Sequence, residues 1–134
     1  MSLEFVERVV IDTDILIDHL RGFLPARVFL NLIYDKKMTA FISTVTVMEL
    51  LSGKSALEEN RRIKIERLLS LFTPVDVTYV IAQKAGELRR RFGVNPIDSL
   101  IAATALILNC ELITCNISHY KIIPELNIYK PYDK

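Results

Sequence analysis

The feature that most constrains the fold is a short run of β-branched residues that ends on an acid. Residues 9–11 are Val-Val-Ile, and Asp12 follows them directly. Such a run without polar alternation predicts a strand buried on both faces, as in a parallel sheet. A carboxylate is rarely buried without a partner, and ligands bind outside the carboxyl ends of parallel strands. We therefore predict that Asp12 marks a functional site.

The length and charge of the chain limit the classes of protein to which it can belong. The chain has 134 residues, which predicts one domain over residues 1–134. It carries 17 Lys and Arg against 16 Asp and Glu, so it has no overall basic field of the kind many nucleic-acid binders have. A polyanionic partner would have to be held by local patches or by a metal ion. The 51% share of apolar residues hints at a buried subunit interface.

Targeting and cysteine signals are weak. Residues 1–8 contain acids where a signal peptide would be basic and then apolar, which predicts a cytoplasmic protein. The apolar tract at residues 100–108 is far shorter than the ~20 residues of a membrane span. Cys110 and Cys115 would point to opposite faces of a strand, which argues against a disulfide. With only two His, a zinc site is not expected.

Strands and helices alternate along the chain. Strands are predicted at residues 9–11, 39–43, 75–77, 111–115 and 127–129. Helices are predicted at residues 15–21, 57–72 and 97–108. Three more are predicted: one that begins at Pro25, one that ends at Gly53, and one that begins after Thr78. This alternation is typical of an α/β fold, and we predict a three-layer α/β/α sandwich with a mostly parallel central sheet.

Three acids stand out within apolar sequence. Asp12 ends the first strand, Glu49 lies in the helix after the second, and Asp98 lies in the first turn of the most apolar helix. Alone, Asp98 could complement the helix dipole, Glu49 could be an exposed acid, and Asp12 could stabilise a turn. Carboxylates brought together repel one another unless a divalent cation lies between them. Oxygen ligands without a Cys or His cluster favour Mg²⁺ or Mn²⁺, and hence phosphoryl transfer.

Four motifs, in order along almost the whole chain, carry a family resemblance. They are Val-Ile-Asp12-Thr13-Asp14, Ser43-Thr-Val-Thr46-Val-Met-Glu49-Leu-Leu-Ser-Gly53, Asp98-Ser-Leu-Ile-Ala-Ala-Thr-Ala, and Thr114-Cys-Asn116-Ile-Ser-His119-Tyr120. In these the chain resembles the PIN-domain family, and within it the VapC-type toxin ribonucleases. The resemblance implies a PIN-like fold and a Mg²⁺- or Mn²⁺-dependent endoribonuclease that hydrolyses RNA phosphodiester bonds. It also implies a homodimer, as in many relatives, and a small antitoxin partner.

The resemblance assigns roles residue by residue. Asp12, Glu49 and Asp98 match the family's catalytic metal ligands. Asn116 stands where many members have a fourth Asp, so we expect one metal ion. Asp14 adds a carboxylate nearby, or caps the helix that follows. Four hydroxyl residues resemble positions that support the carboxylates, or else cap helices: Thr13, Ser43, Thr46 and Thr114.

Two further features lie beside these motifs. Arg89, Arg90 and Arg91 form the densest basic cluster and are candidate RNA contacts, although cations also favour the end of a helix. His119 is expected to be structural.

Other classes use the same acids. Asp12 and Asp14 after a strand also resemble a haloacid-dehalogenase-type phosphatase, which needs a later acidic pair where this chain has Thr-Cys-Asn. A phospho-acceptor receiver domain needs another helix after Lys130-Pro131, and three residues remain. A catalytically weak PIN domain that binds RNA or a protein partner is the third alternative, because of Asn116.

Overall fold

The central sheet has five strands, all parallel. The structure is a computed structural model that describes residues 7–134, so the expectation for residues 1–8 lies mostly outside it. The strands are β1 (Glu7–Ile11), β2 (Met38–Ser43), β3 (Thr73–Val75), β4 (Glu111–Ile113) and β5 (Ile128–Tyr129). Their order is β3-β2-β1-β4-β5. The strand that ends on Asp12 is therefore the central one.

Alternation along β1 divides the core in two. Val9 and Ile11 pack into one apolar cluster, and Val10 packs into the other. All three side chains are fully buried, so both faces of the sheet are covered by helices. The predicted three-layer α/β/α sandwich is confirmed.

Seven helices cover the sheet in the described part of the chain. They are α1 (Thr13–Leu20), α2 (Leu24–Tyr34), α3 (Thr44–Leu51), α4 (Glu59–Leu69), α5 (Tyr79–Phe92), α6 (Pro96–Leu108) and α7 (Ile117–Tyr120). The cluster with Val9 contains residues of the first four helices, and the cluster with Val10 contains residues of the last three. Helix α6 carries six buried residues, and four of them, Ile101, Ala102, Ala103 and Ala105, are apolar, which agrees with its apolar sequence.

Two boundaries differ from the sequence prediction for identifiable reasons. Strand β3 covers Thr73–Val75 rather than residues 75–77, so Pro74 lies inside it. Proline lacks an N–H donor but is tolerated here because β3 is an edge strand. The predicted helix at residues 57–72 is a 3-10 turn, Lys54–Leu57, followed by the shorter α4.

Two other details correct the prediction. Helix α1 begins at Thr13, because Asp12 is its N-cap, so Asp14 lies in the first turn and is not the cap. Strand β4 stops at Ile113, and the short helix α7 that follows was not predicted.

The described residues include both cysteines and the long apolar segments. Cys110 and Cys115 are both free thiols, with Cys110 buried and Cys115 half-buried. No single helix between residues 7 and 134 is long and apolar enough to cross a membrane. Only α5 and α6 taken together pass by length and composition, and they are bent by 119° at their junction.

Candidate metal centre

Asp12 is fixed by both of its neighbouring elements. Its backbone N–H donates to the Ile113 carbonyl of β4 at 2.9 Å. Its Oδ1 accepts from the Thr13 N–H at 2.8 Å, and its Oδ2 accepts from Thr114 Oγ1 at 2.7 Å. The residue is only 4% exposed. A buried carboxylate is thus held rigidly at the carboxyl end of the central strand.

The electrostatics of Asp12 are unfavourable for a negative charge. Burial, and then the nearby carboxylates of Asp14 and Asp98, raise the pKa of Asp12 to about 7. The hydrogen bonds from Thr114 and Thr13 oppose this rise but do not cancel it. A site of this kind attracts either a proton or a cation.

Glu49 is connected to Asp12 through Thr13. The Thr13 hydroxyl donates to Glu49 Oε1 at 2.6 Å, so it accepts from the Thr46 hydroxyl, which lies 2.9 Å away. Thr13 and Thr46 are buried, whereas Glu49 is half-buried. Helix α3 therefore presents Glu49 to the residue that also bonds Asp12.

Asp98 has several hydrogen-bond donors around it. Asn95 is the N-cap of α6, and its Oδ1 accepts from the Asp98 N–H at 2.9 Å while its Nδ2 donates to Asp98 Oδ2 at 2.6 Å. His119 Nδ1 lies 3.0 Å from the same Oδ2. The Tyr120 hydroxyl donates to Asp98 Oδ1 at 3.1 Å. Both carboxylate oxygens of Asp98 are therefore oriented by neighbours.

Tyr120 is the residue that sequence reasoning missed. Its side chain is fully buried in the core, yet its hydroxyl reaches Asp98. Burial and the charges of Asp12 and Asp98 raise its pKa well above the usual range, so the phenol stays protonated and remains a donor. In the sequence Tyr120 is the last residue of the fourth motif, but no role was predicted for it.

Asp14 lies on the other side of Thr114. Its Oδ2 accepts from the Cys115 N–H at 2.9 Å, and both of its carboxylate oxygens lie 3.5 Å from Thr114 Oγ1. Burial is the main cause that raises the pKa of Asp14, and the Cys115 hydrogen bond opposes it. Asp14 adds negative charge beside Asp12.

Ser43 has the capping role of the two predicted for it, and Asn116 contacts the site through its backbone. Ser43 is fully buried and caps α3, since its Oγ accepts from the Val45 N–H at 3.1 Å. Asn116 precedes α7, and its backbone N–H donates to Thr114 Oγ1 at 3.0 Å. That bond orients the Thr114 hydroxyl, which in turn donates to Asp12 Oδ2.

The three arginines at the end of α5 are partly engaged elsewhere. Arg89 Nε donates to the Val94 carbonyl at 3.2 Å. Arg91 pairs with Glu87 at 3.3 Å and with Glu125 at 3.8 Å, and it stacks over a phenylalanine ring. Arg90 is exposed.

The donor set fits a hard divalent cation. Its side chains supply carboxylate oxygens, and the charges that most destabilise ionised Asp12 are other carboxylates. Between residues 7 and 134, no three His, Cys, Asp or Glu side chains converge at ligand spacing. Instead, hydroxyl and amide donors hold Glu49 and Asp98. Ion binding by these three acids would therefore require their side chains to move closer together.

The parallel sheet and the acidic site at its carboxyl edge are typical of a metal-dependent nuclease fold, and comparison with known protein families supports this class. Residues 9–123 match the PIN domain family, so the chain belongs to it. This sets aside the phosphatase and receiver alternatives.

Individual relatives narrow the comparison. The chain is 37% identical over 123 residues to "Ribonuclease VapC10" of Mycobacterium tuberculosis, covering 88% of this chain and 90% of that one. It is 34% identical over 122 residues to "Ribonuclease VapC19" of the same organism, covering 87% and 95%. A toxin-antitoxin complex from Klebsiella pneumoniae contains a chain with a TM-score of 0.79 and 28% identity, covering 94% of this chain and 99% of that one. DNA-bound VapBC from Salmonella typhimurium shares the fold, with a TM-score of 0.82, 24% identity and coverage of 96% and 100%.

Proposed function

We propose that this protein is a metal-dependent endoribonuclease and the toxin of a VapBC-type pair. Relatives named ribonuclease VapC, aligned over most of both chains, support this function. The observation that carries the chemistry is buried Asp12, which faces Asp14 and Asp98. A divalent cation bound beside Asp12 would offset the repulsion between these carboxylates.

Three acids hold the ion in this proposal: Asp12, Glu49 and Asp98. Mg²⁺ or Mn²⁺, when bound, lowers the pKa of water and neutralises charge that develops on phosphate oxygens. The chain's own residues keep the ligands in place: Thr13 orients Glu49, and Thr114 orients Asp12. Asn95 and Tyr120 orient Asp98. Asn116 is neutral, so we propose one ion rather than two.

Partners follow from the same comparison. We propose that the chain forms a homodimer and binds a small antitoxin protein, in the cytoplasm where its RNA substrate is found. A groove of about 710 Å³ lies between α2 and the β4–β5 edge. Leu24 and Val28 are 64% and 59% exposed there, which gives apolar surface for a protein partner.

A second candidate retains the fold and loses the activity. In that case the chain binds RNA or a protein partner without cleaving RNA. Asn116, in place of the fourth acid of many relatives, favours this alternative.

Thermal unfolding with and without Mn²⁺ separates the two functions. An ion that binds only the folded chain stabilises it by about 2.7 kcal/mol at a hundred times its Kd, so we expect a clear rise in Tm. The Asp98→Asn variant should lose this rise, and the native chain with Mn²⁺ should cleave RNA. Asp18→Asn is the matched control, because it makes the same Asp-to-Asn change at a buried carboxylate outside the proposed ligand set and should keep the rise.

The opposite results are equally informative. A native Tm that is insensitive to Mn²⁺, together with RNA that stays intact, would contradict the proposed nuclease. A Mn²⁺-dependent rise with intact RNA would favour the second candidate.

A further inference from the structure

Two clefts join next to Glu49. The smaller, of about 230 Å³, is lined by Glu49 from α3, by Arg21, and by Arg61 from α4. The larger, of about 650 Å³, extends between α2 and α4. Leu20 and Arg61 line both of them, so the two clefts adjoin at these residues and together make a depression that starts at a proposed metal ligand.

The lining of this depression is strongly basic. Five cationic side chains face it: Arg21, Arg27, Arg61, Lys64 and Arg67. Among residues 7–134, Glu49 is the single acid in either lining, and it lies at the end next to the proposed metal site. We name the five cations and the surface between them the basic cleft.

These cations have no acidic partners in the described part of the chain. Among residues 7–134, none of the five takes part in an ion pair. The contrast is α5, where Lys84 and Arg91 share Glu87 and Glu125. The cleft therefore has a net positive charge that the fold itself does not neutralise.

The cations are also arranged as a row. Arg61, Lys64 and Arg67 are spaced by three residues on α4, which places successive Cα atoms about 4.5 Å further along the helix axis. Arg61 is anchored at the Glu49 end, because its Nη2 donates to the Leu20 carbonyl at 2.9 Å. The row leads away from the metal site along the cleft.

The edge of the cleft offers a surface for a base. The Tyr34 ring there is 75% exposed, whereas Leu30 and Leu68 in the floor are buried. An exposed aromatic ring beside a basic groove is a common arrangement for binding single-stranded nucleic acid, because bases stack on the ring while the backbone follows the cations.

We propose that the basic cleft binds the backbone of single-stranded RNA on one side of the cleaved bond. The inference rests on the proposed nuclease function and adds the path of the substrate. Arg21 and Arg61 contact the phosphates next to the reaction centre, and Lys64, Arg67 and Arg27 contact those further away. The α5 cluster is then a secondary RNA surface at most, since Arg91 is already paired with Glu87 and Glu125.

The test is the salt dependence of RNA binding. The native chain and the Lys64→Gln/Arg67→Gln variant are titrated with a labelled single-stranded RNA of mixed sequence, in EDTA so that no cleavage occurs. Each phosphate contact with a single strand contributes about 0.7 to the slope of log K against log salt, so the variant's slope should be shallower by about 1.4. With Mn²⁺ present, its KM should rise while kcat stays at the native value.

A matched control isolates position from charge. Lys36→Gln/Lys37→Gln removes the same charge from exposed residues in the turn before β2, at the opposite end of the sheet from Asp12. This control should keep the native slope and KM. Arg21→Gln tests the end near Glu49, where an exposed side chain can be changed without losing the Arg61 anchor.

Two outcomes would overturn the inference. One is an equal slope for the cleft variant and its control. The other is native RNA binding by the cleft variant together with loss of binding to poly-glutamate, which would make the cleft a site for an acidic protein segment. RNA that binds the native cleft but is never cleaved would contradict the nuclease function and leave the cleft proposal intact.

Discussion

Asp12 and Asp18 are two buried carboxylates at the two ends of one short helical segment, and their surroundings are opposite. Asp12 is 4% exposed and faces other carboxylates. Asp18 is 8% exposed, and its Oδ2 accepts from the Tyr132 hydroxyl at 2.8 Å and pairs with Lys134 Nζ at 3.0 Å. The second carboxylate is compensated by a cation, and the first is not. Lys134 therefore neutralises Asp18, which has a structural role. The negative charge of Asp12, where we propose that an ion binds, is left without a cation in the described part of the chain.

Replacing Asp12 should have the largest effect on activity. We expect Asp12→Asn to lower RNA cleavage by roughly 10²–10⁴-fold, the range typical of losing a group that acts directly in the chemistry. Stability should be unchanged or higher, because the amide keeps an acceptor for Thr13 N–H and no longer repels Asp14 and Asp98. The cleavage rate with metal present measures the first effect, and unfolding in EDTA measures the change in stability. Native activity in this variant would remove Asp12 from the site.

Acid pH should separate Asp12 from Asp18 in the absence of metal. Folding raises the pKa of Asp12 from 3.8 to about 7, so the folded chain binds the proton more tightly than the unfolded chain. Its contribution to the free energy of unfolding is therefore greatest below the unfolded pKa and is lost as pH rises toward 7, by on the order of 4 kcal/mol. Unfolding at a series of pH values in EDTA should show this loss for native protein and Asp18→Asn. Asp12→Asn should lack it, and an equal slope in all three would contradict the assignment.

Asp18→Asn should affect stability rather than chemistry. The substitution removes the negative charge of Asp18, which both Lys134 and Tyr132 contact. We expect a loss of about 1–3 kcal/mol in the free energy of unfolding. Cleavage by the folded variant should stay near the native rate. Lys134→Gln should cost less, under about 1 kcal/mol, because the lysine is 42% exposed. A large loss of kcat in Asp18→Asn with unchanged stability would reverse the comparison.

A pair of tyrosines sharpens the comparison further. Tyr120 donates to Asp98 and Tyr132 donates to Asp18, at 3.1 and 2.8 Å. Tyr120→Phe should raise the Mn²⁺ concentration needed for half-maximal cleavage by about tenfold, as expected when a group that orients a metal ligand is lost. Tyr132→Phe should leave that concentration unchanged and lower stability by about 1 kcal/mol. If both variants shift the Mn²⁺ requirement equally, Tyr120 has no special role in positioning Asp98.

Local sequence determined the architecture. A β-branched run marked the central strand, and apolar periodicity marked the helices. The helix predicted after Thr78 and the candidate cap Ser43 are confirmed, since both residues are N-caps. These signals are reliable because strand burial, helical period and capping depend on residues within a few positions of one another. The same signals placed Asp12 at a strand end, Glu49 in the helix after a strand and Asp98 in the first turn of a helix.

Only the tertiary structure decided what each polar group contacts. Asp12 meets Thr114 and Asp18 meets Lys134, in each case across more than 100 residues of chain. The fold also brought Tyr120 to Asp98, tied Arg89 and Arg91 to intramolecular partners, and left Lys64 and Arg67 free of ion pairs within residues 7–134. Charge compensation and side-chain hydrogen bonds act between groups that are close in space, and sequence patterns report only groups that are close along the chain.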